Sequence, residues 1–218
     1  RDRICTSSHK DWQSDKFLTY AISGDCGKEA RYKGAWYPKL APKYYFYKKW
    51  QDNIGKISEE ENNRYYVQEY WNQVLSKLDP EEVYNEIDHS VLLCYEKNTE
   101  FCHRHIVAAW FEILLEIEVP EMKADGYNTT RIDRPSYIKE YLEDAMKMDR
   151  DMKGFNSLRA LYLFEKAEEL EKTADEMEAR TRNNYNKFRQ IACAFKADAN
   201  DAEEKYNKEH YIKQLKLN

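Results

Sequence analysis

Between Cys94 and Arg104 stand side chains that can do chemistry together: Cys94, Glu96, Cys102, His103 and Arg104, within LLCYEKNTEFCHRHIVAAWFEIL. A thiol beside an imidazole and a guanidinium is biased toward thiolate, the form that acts as a nucleophile. A carboxyl group within reach gives or takes the proton that such a nucleophile needs. Cys102, Glu96 and His103 are therefore the candidate catalytic residues. Arg104 is the candidate holder of a substrate phosphate.

The same residues admit two blander readings. Cys102 and His105 are three apart and could share a ligand face on a helix, but C-x7-C-H-x-H is not a recurring zinc spacing. No metal site and no cofactor is expected on that ground. Cys94, inside the apolar VLLCY, reads as a core cysteine.

These residues need elements to position them. The run Ser90–Glu96 is nearly all apolar, as in a strand buried on both faces of a parallel sheet. Cys94 and Glu96 alternate along it and so point to one side. Asn98 or Thr99 is expected to cap a helix starting near Glu100, which puts Cys102 in its first turn, where the helix dipole favours negative charge. Ligands of open α/β sheets bind at such strand ends.

Two earlier strands are expected, over 1–7 and Phe17–Ser23, with a Gly-rich loop after the second. Thr6, Ser7 and His9 close the first strand. They are binding candidates if that strand neighbours the one at Ser90. The segment WYPKLAPKYYFYKKW interleaves aromatics with lysines, a pattern suited to stacking on bases and contacting phosphates. Lys48 and Lys49 are its binding candidates, and an amphipathic helix over 43–51 is the competing account. Ser58 and Asp79-Pro80 mark two helix starts. IEVPEM reads as a last strand stopped by Pro120, and KADGYNTTRIDRPS as a linker. The remainder is helical: SYIKEYLEDAMKMDRDM, closed by Gly154, then one very long helix or two, then DANDAEEKYNKEHYIKQL.

The expected fold is α/β: a small, mostly parallel sheet flanked by helices over 1–125, followed by an all-α extension over 133–218. The segment 131–218 carries 18 acidic and 18 basic residues and no clean heptad. Its expected use is interaction or oligomerisation.

The stretch LLCYEKNTEFCHRH followed by VAAWFE resembles the bacterial and phage family known as domain of unknown function 488. ICTSS is similar to that family's opening strand and polar loop, and AISGDCG…YPKLAPK to a variant with a Gly loop before a LAP segment. The resemblance spans about residues 3–120. It implies a small α/β fold with a pocket between the opening strand's loop and the Cys-His-Arg helix, and marks Cys94, Glu96, Cys102, His103, Arg104, Thr6 and Ser7. Many members carry Asp-x-Arg after the second strand, where AISGDCG stands in this chain.

The net charge of -5 argues against a protein that coats nucleic acid through global charge. No apolar run approaches the roughly 18 residues that span a bilayer, and a cytoplasmic protein without membrane contact is expected. Two functions follow as expectations. One is an enzyme acting on a nucleotide or nucleic acid through the Cys-His-Arg pocket. The other is a non-catalytic module that binds a nucleotide, nucleic acid or protein, with a homo-oligomer or protein partner engaged by the helical extension.

Overall fold

A computed structural model describes residues 4–153, 157–178 and 182–216. The chain divides into two compact units, Arg1–Ala145 and Met146–Asn218. The first unit opens with β1 (Cys5–Ser8), β2 (Trp12–Gln13), β3 (Leu18–Ala21) and β4 (Ala35–Trp36). It continues through α1 (Tyr44–Asn53), α2 (Glu59–Gln73), α3 (Pro80–Glu86), β5 (Ser90–Cys94) and α4 (His103–Leu115). Then come β6 (Glu121–Asp125), β7 (Asn128–Ile132) and α5 (Tyr137–Lys153), which ends in the second unit, followed by α6 (Leu158–Glu178) and α7 (Arg182–Lys216).

The strands form one sheet in the order β2-β6-β1-β5-β3-β4. Every pairing along it is parallel, and β7 adds to β6 antiparallel. The expected α/β class and helical C-terminal part are thus present. Every residue of β5 is buried, because β1 and β3 flank it and helices cover it. Cys5–Ser8 register with Val91–Cys94, so the ends of β1 and β5 lie side by side.

Local chemistry sets the helix starts. Ser58 Oγ accepts from the Glu61 N–H at 3.1 Å, and Asp79 Oδ1 from the Glu81 and Glu82 N–H groups at 2.8 and 3.1 Å. Such caps satisfy donors that a helix cannot satisfy internally. The segment 43–51 is helical as α1. Helix α4 buries His103 through Phe111 without a break, so it is a core helix rather than an amphipathic one.

Three expectations differ from the structure. Helix α4 starts at His103 with Cys102 as its N-cap, because Glu100 is spent on a turn in which its Oε2 accepts the Lys97 N–H at 3.0 Å. Strand β6 begins after Pro120 instead of ending there: Pro120 lacks an N–H, but its carbonyl accepts the Thr6 N–H at 3.0 Å. The expected linker is a hairpin, β6–β7, turned at Gly126 with φ +59°. Residues 1–3 and the helix stop assigned to Gly154 lie outside the described residues.

In the second unit α6 and α7 pack along each other. Pairs at 157/203 and 166/195 run in opposite directions along the chain, so the helices are antiparallel. Their buried positions include Ala160, Ala167 and Ala174 on α6 and Ala192 and Ala199 on α7. The spacing is seven residues, a heptad of small side chains that a search for large apolar residues passes over. No helix among the described residues is long and apolar enough to cross a membrane.

Candidate active site

The loop after β5 folds back so that three acids meet. Cys102 Sγ lies 2.9 Å from Glu96 Oε2, and Cys94 Sγ lies 3.3 Å from the same oxygen. His103 Nδ1 is 3.6 Å from Cys94 Sγ, while Nε2 is 3.0 Å from the Ile22 carbonyl. That carbonyl can only accept, so Nε2 carries a proton and Nδ1 faces sulfur. The alternation of Cys94 and Glu96 therefore has its expected consequence. Cys94 is a core residue by burial and also a member of the site.

Burial pushes the Glu96 carboxyl up to about 7, and the neighbouring Cys102 adds to the rise. Burial opposes ionisation of Cys102 too, but the Cys94 thiol, the Arg104 charge and His103 outweigh it and hold Cys102 well below the usual thiol range. Cys94 goes the other way, driven up by burial and then by Cys102. His103 is penalised as a cation by burial, yet Cys102 and Glu96 raise it overall. Near neutrality Glu96 is thus poised to take or give a proton, while Cys102 is biased toward thiolate and Cys94 toward thiol.

This cluster forms the floor of a cavity of about 330 Å³. One wall is aromatic: Tyr44, Tyr47, Trp50, Tyr66 and Phe101. Trp50 lies 5.8 Å from Phe101 and 5.7 Å from Tyr66, and Tyr66 meets Phe101 edge to face at 5.3 Å. Ser23, Gly24, Asp25 and Glu29 also line the cavity, in a loop where Asp25 accepts from Ser23 Oγ (2.8 Å), Tyr95 Oη (2.6 Å) and the Gly27 and Glu29 N–H groups (3.1 and 3.3 Å). Gly27 sits at φ +77°, and a Cβ there would stand 2.8 Å from Tyr32 Cβ. Burial works against the Asp25 carboxylate, but these donors hold it ionised down to about 2.

Other expected site residues lie elsewhere. Arg104 is fully buried: its Nε donates to Glu121 Oε1 at 3.0 Å and its Nη2 lies 2.9 Å from the same oxygen as an ion pair, and it is not among the residues that line the cavity. Glu121 also accepts from Thr6 Oγ1 at 2.5 Å and has His105 Nε2 at 3.5 Å. Ser7 Oγ donates to the Met122 carbonyl at 2.6 Å. His9 packs between Tyr32 and Tyr95 and donates its N–H to the Cys94 carbonyl at 2.8 Å. Lys48 pairs with Asp52 at 2.5 Å and Lys49 lies over the Tyr65 ring at 4.5 Å, both outside the cavity lining. The aromatics of the same segment supply the wall instead.

Sequence reasoning passed over Asp25, Tyr95, Phe101 and Glu121. Asp25 had a signal, since an Asp in SGDCG suits a turn that points N–H groups at its own carboxylate. Glu121 had none, because its partners come from distant elements. Cys94, Cys102 and His103 place their donor atoms within 4.8 Å of one another, close enough to grip a soft ion. The spacing argument against zinc did not foresee that grouping, which pairs Cys102 with His103 and not with His105.

Residues 13–113 match the family model described as DUF488-N3a, the active DUF488-N3 subclade. The match begins after Thr6, Ser7 and His9 and includes the whole cavity lining. No curated protein and no solved structure matches the chain. With LCYEKNTEFCHRH inside the matched segment and its side chains gathered at one strand end, the match over residues 13–113 supports assigning the α/β part of this chain to the DUF488 family.

Proposed function

We propose that the first unit is a thiol-dependent enzyme acting on the nucleobase or nucleoside part of a nucleotide or nucleic acid. One observation carries the reading: Cys102 Sγ and Glu96 Oε2, 2.9 Å apart, floor a cavity walled by aromatic rings. Such rings stack on flat heterocycles. In this reading Cys102 Sγ attacks an electrophilic atom of the substrate, the bond to the leaving group breaks, and the proton on Glu96 passes to that group. Water then loses a proton to the Glu96 carboxylate, displaces the sulfur and restores the thiolate. Arg104 acts on Cys102 through its charge, as a positioning residue. Cys94 keeps Glu96 in place from the other side.

A screen of nucleosides, nucleotides and short oligonucleotides for turnover tests this. Cys102→Ser and Glu96→Gln each lower the rate by about 100-fold or more. Unchanged turnover in both variants sinks the catalytic reading and leaves the alternative, a binding module using the same pocket. Binding that weakens steeply with salt, and is lost on changing Lys48 and Lys49, supports a nucleic-acid backbone as its partner.

A further inference from the structure

We propose that this cavity selects a positively charged flat ring, of which an N-alkylated nucleobase is the type, over its neutral parent and over phosphate-bearing relatives. The inference rests on the nucleobase reading above and narrows its substrate class.

Three features carry it. Tyr47, Trp50, Tyr66 and Phe101 enclose one side with rings at 5.3–6.2 Å from one another. The faces of such rings are electron-rich and attract cations. Asp25 and Glu29 line the same cavity, near enough to Tyr47 for their charges to act on its hydroxyl. Asp25 cannot swing away, because four donors and the left-handed Cys26-Gly27 turn fix it.

The third feature is what the lining lacks. Among the described residues that line the cavity none is lysine or arginine. Arg104 is fully buried and bound to Glu121, Lys48 is held by Asp52, and Lys49 covers Tyr65. His103 is the one basic lining side chain among them, and its nitrogens face Cys94 and the Ile22 carbonyl. A phosphate entering would meet two carboxylates with little to offset them, whereas a cationic ring offsets both.

Calorimetric titration of the full chain with 1-methyladenosine, adenosine and adenosine 5′-monophosphate tests the proposal. The expected order is 1-methyladenosine tightest by about ten-fold over adenosine, and the monophosphate weakest. Asp25→Asn and Glu29→Gln shrink that preference while adenosine binding persists, and Trp50→Leu weakens both nucleosides. Adenosine binding as tightly as its methylated form, or the monophosphate binding tightest, overturns the proposal. 1-Methylnicotinamide, a pyridinium cation, against nicotinamide separates the two layers. If no nucleoside binds but the methylated pyridinium is preferred, the charge selection stands and the nucleobase reading falls. If that pair is also bound equally or not at all, the charge selection falls as well.

Discussion

The β5–α4 junction of the first unit and the α6–α7 pair of the second bury opposite kinds of group. Around β5 and α4 the interior holds Cys94, Cys102, His103, Arg104, His105 and Glu121. Between α6 and α7 the buried positions are mainly alanines and leucines, and the ion pair Lys196–Glu171, 2.7 Å apart, stays partly in water. Burying charge is costly unless it is paired, so the junction keeps an arrangement that packing alone would not select. The helical pair needs only close contact between small side chains.

The contrast can be broken first at its ion pairs. Arg104→Met takes the guanidinium away from the buried Glu121 carboxylate, leaving it only Thr6 and His105, and destabilises the first unit by about 3–5 kcal/mol. All five tryptophans lie in that unit, so tryptophan fluorescence during urea unfolding follows it alone. A loss below about 1 kcal/mol would equate this buried pair with a surface one. The next effect is chemical. Iodoacetamide should modify Cys102 faster than Cys94 near neutral pH, because only Cys102 is held as thiolate. Peptide mass mapping checks the order, and a chelator should leave it unchanged. A rise in Cys102 labelling after chelation would mean that an ion had been occupying the three soft donors.

A smaller effect concerns pH. Glu96 is raised from 4.5 unfolded to about 7 folded. The folded state therefore binds more protons between those values, so stability falls as pH rises through about 7. Glu96→Gln removes that loss, and its advantage over the parent grows from pH 5 to pH 8 by on the order of 2 kcal/mol. A melting difference independent of pH counts against a raised Glu96 carboxyl. In the second unit, Ala167→Leu should overpack the α6–α7 seam by about 1–3 kcal/mol. Lys196→Ala should cost under about 1 kcal/mol, both read from helical circular dichroism.

Much of this was legible where the signal was local. Ser58, Asp79 and the apolar run before Cys94 each announce an element through its own residues. The thiol–carboxyl pairing of Cys102 with Glu96 followed from the same stretch, since both residues belong to one strand–loop–helix turn. What stayed hidden depends on contacts far along the chain. Arg104 reads as a phosphate ligand until β6 brings Glu121 beside it, and the KADGYNTTRIDRPS segment reads as a linker until β7 finds its place against β6. The lysines at 48 and 49 drew attention in a segment whose aromatics form the wall, because one-dimensional spacing does not say which helix face turns inward. The alanine heptad escaped because small residues contribute little to apolar periodicity.

Cys102 at the N-cap of α4 makes no side-chain cap bond. A serine or aspartate there accepts from a first-turn N–H and firms the helix by about 1 kcal/mol. The sulfur occupies the position a helix would give to oxygen, so the residue that serves the cavity is a poor one for the fold. Cys102→Ser is then expected to yield a sturdier and silent protein.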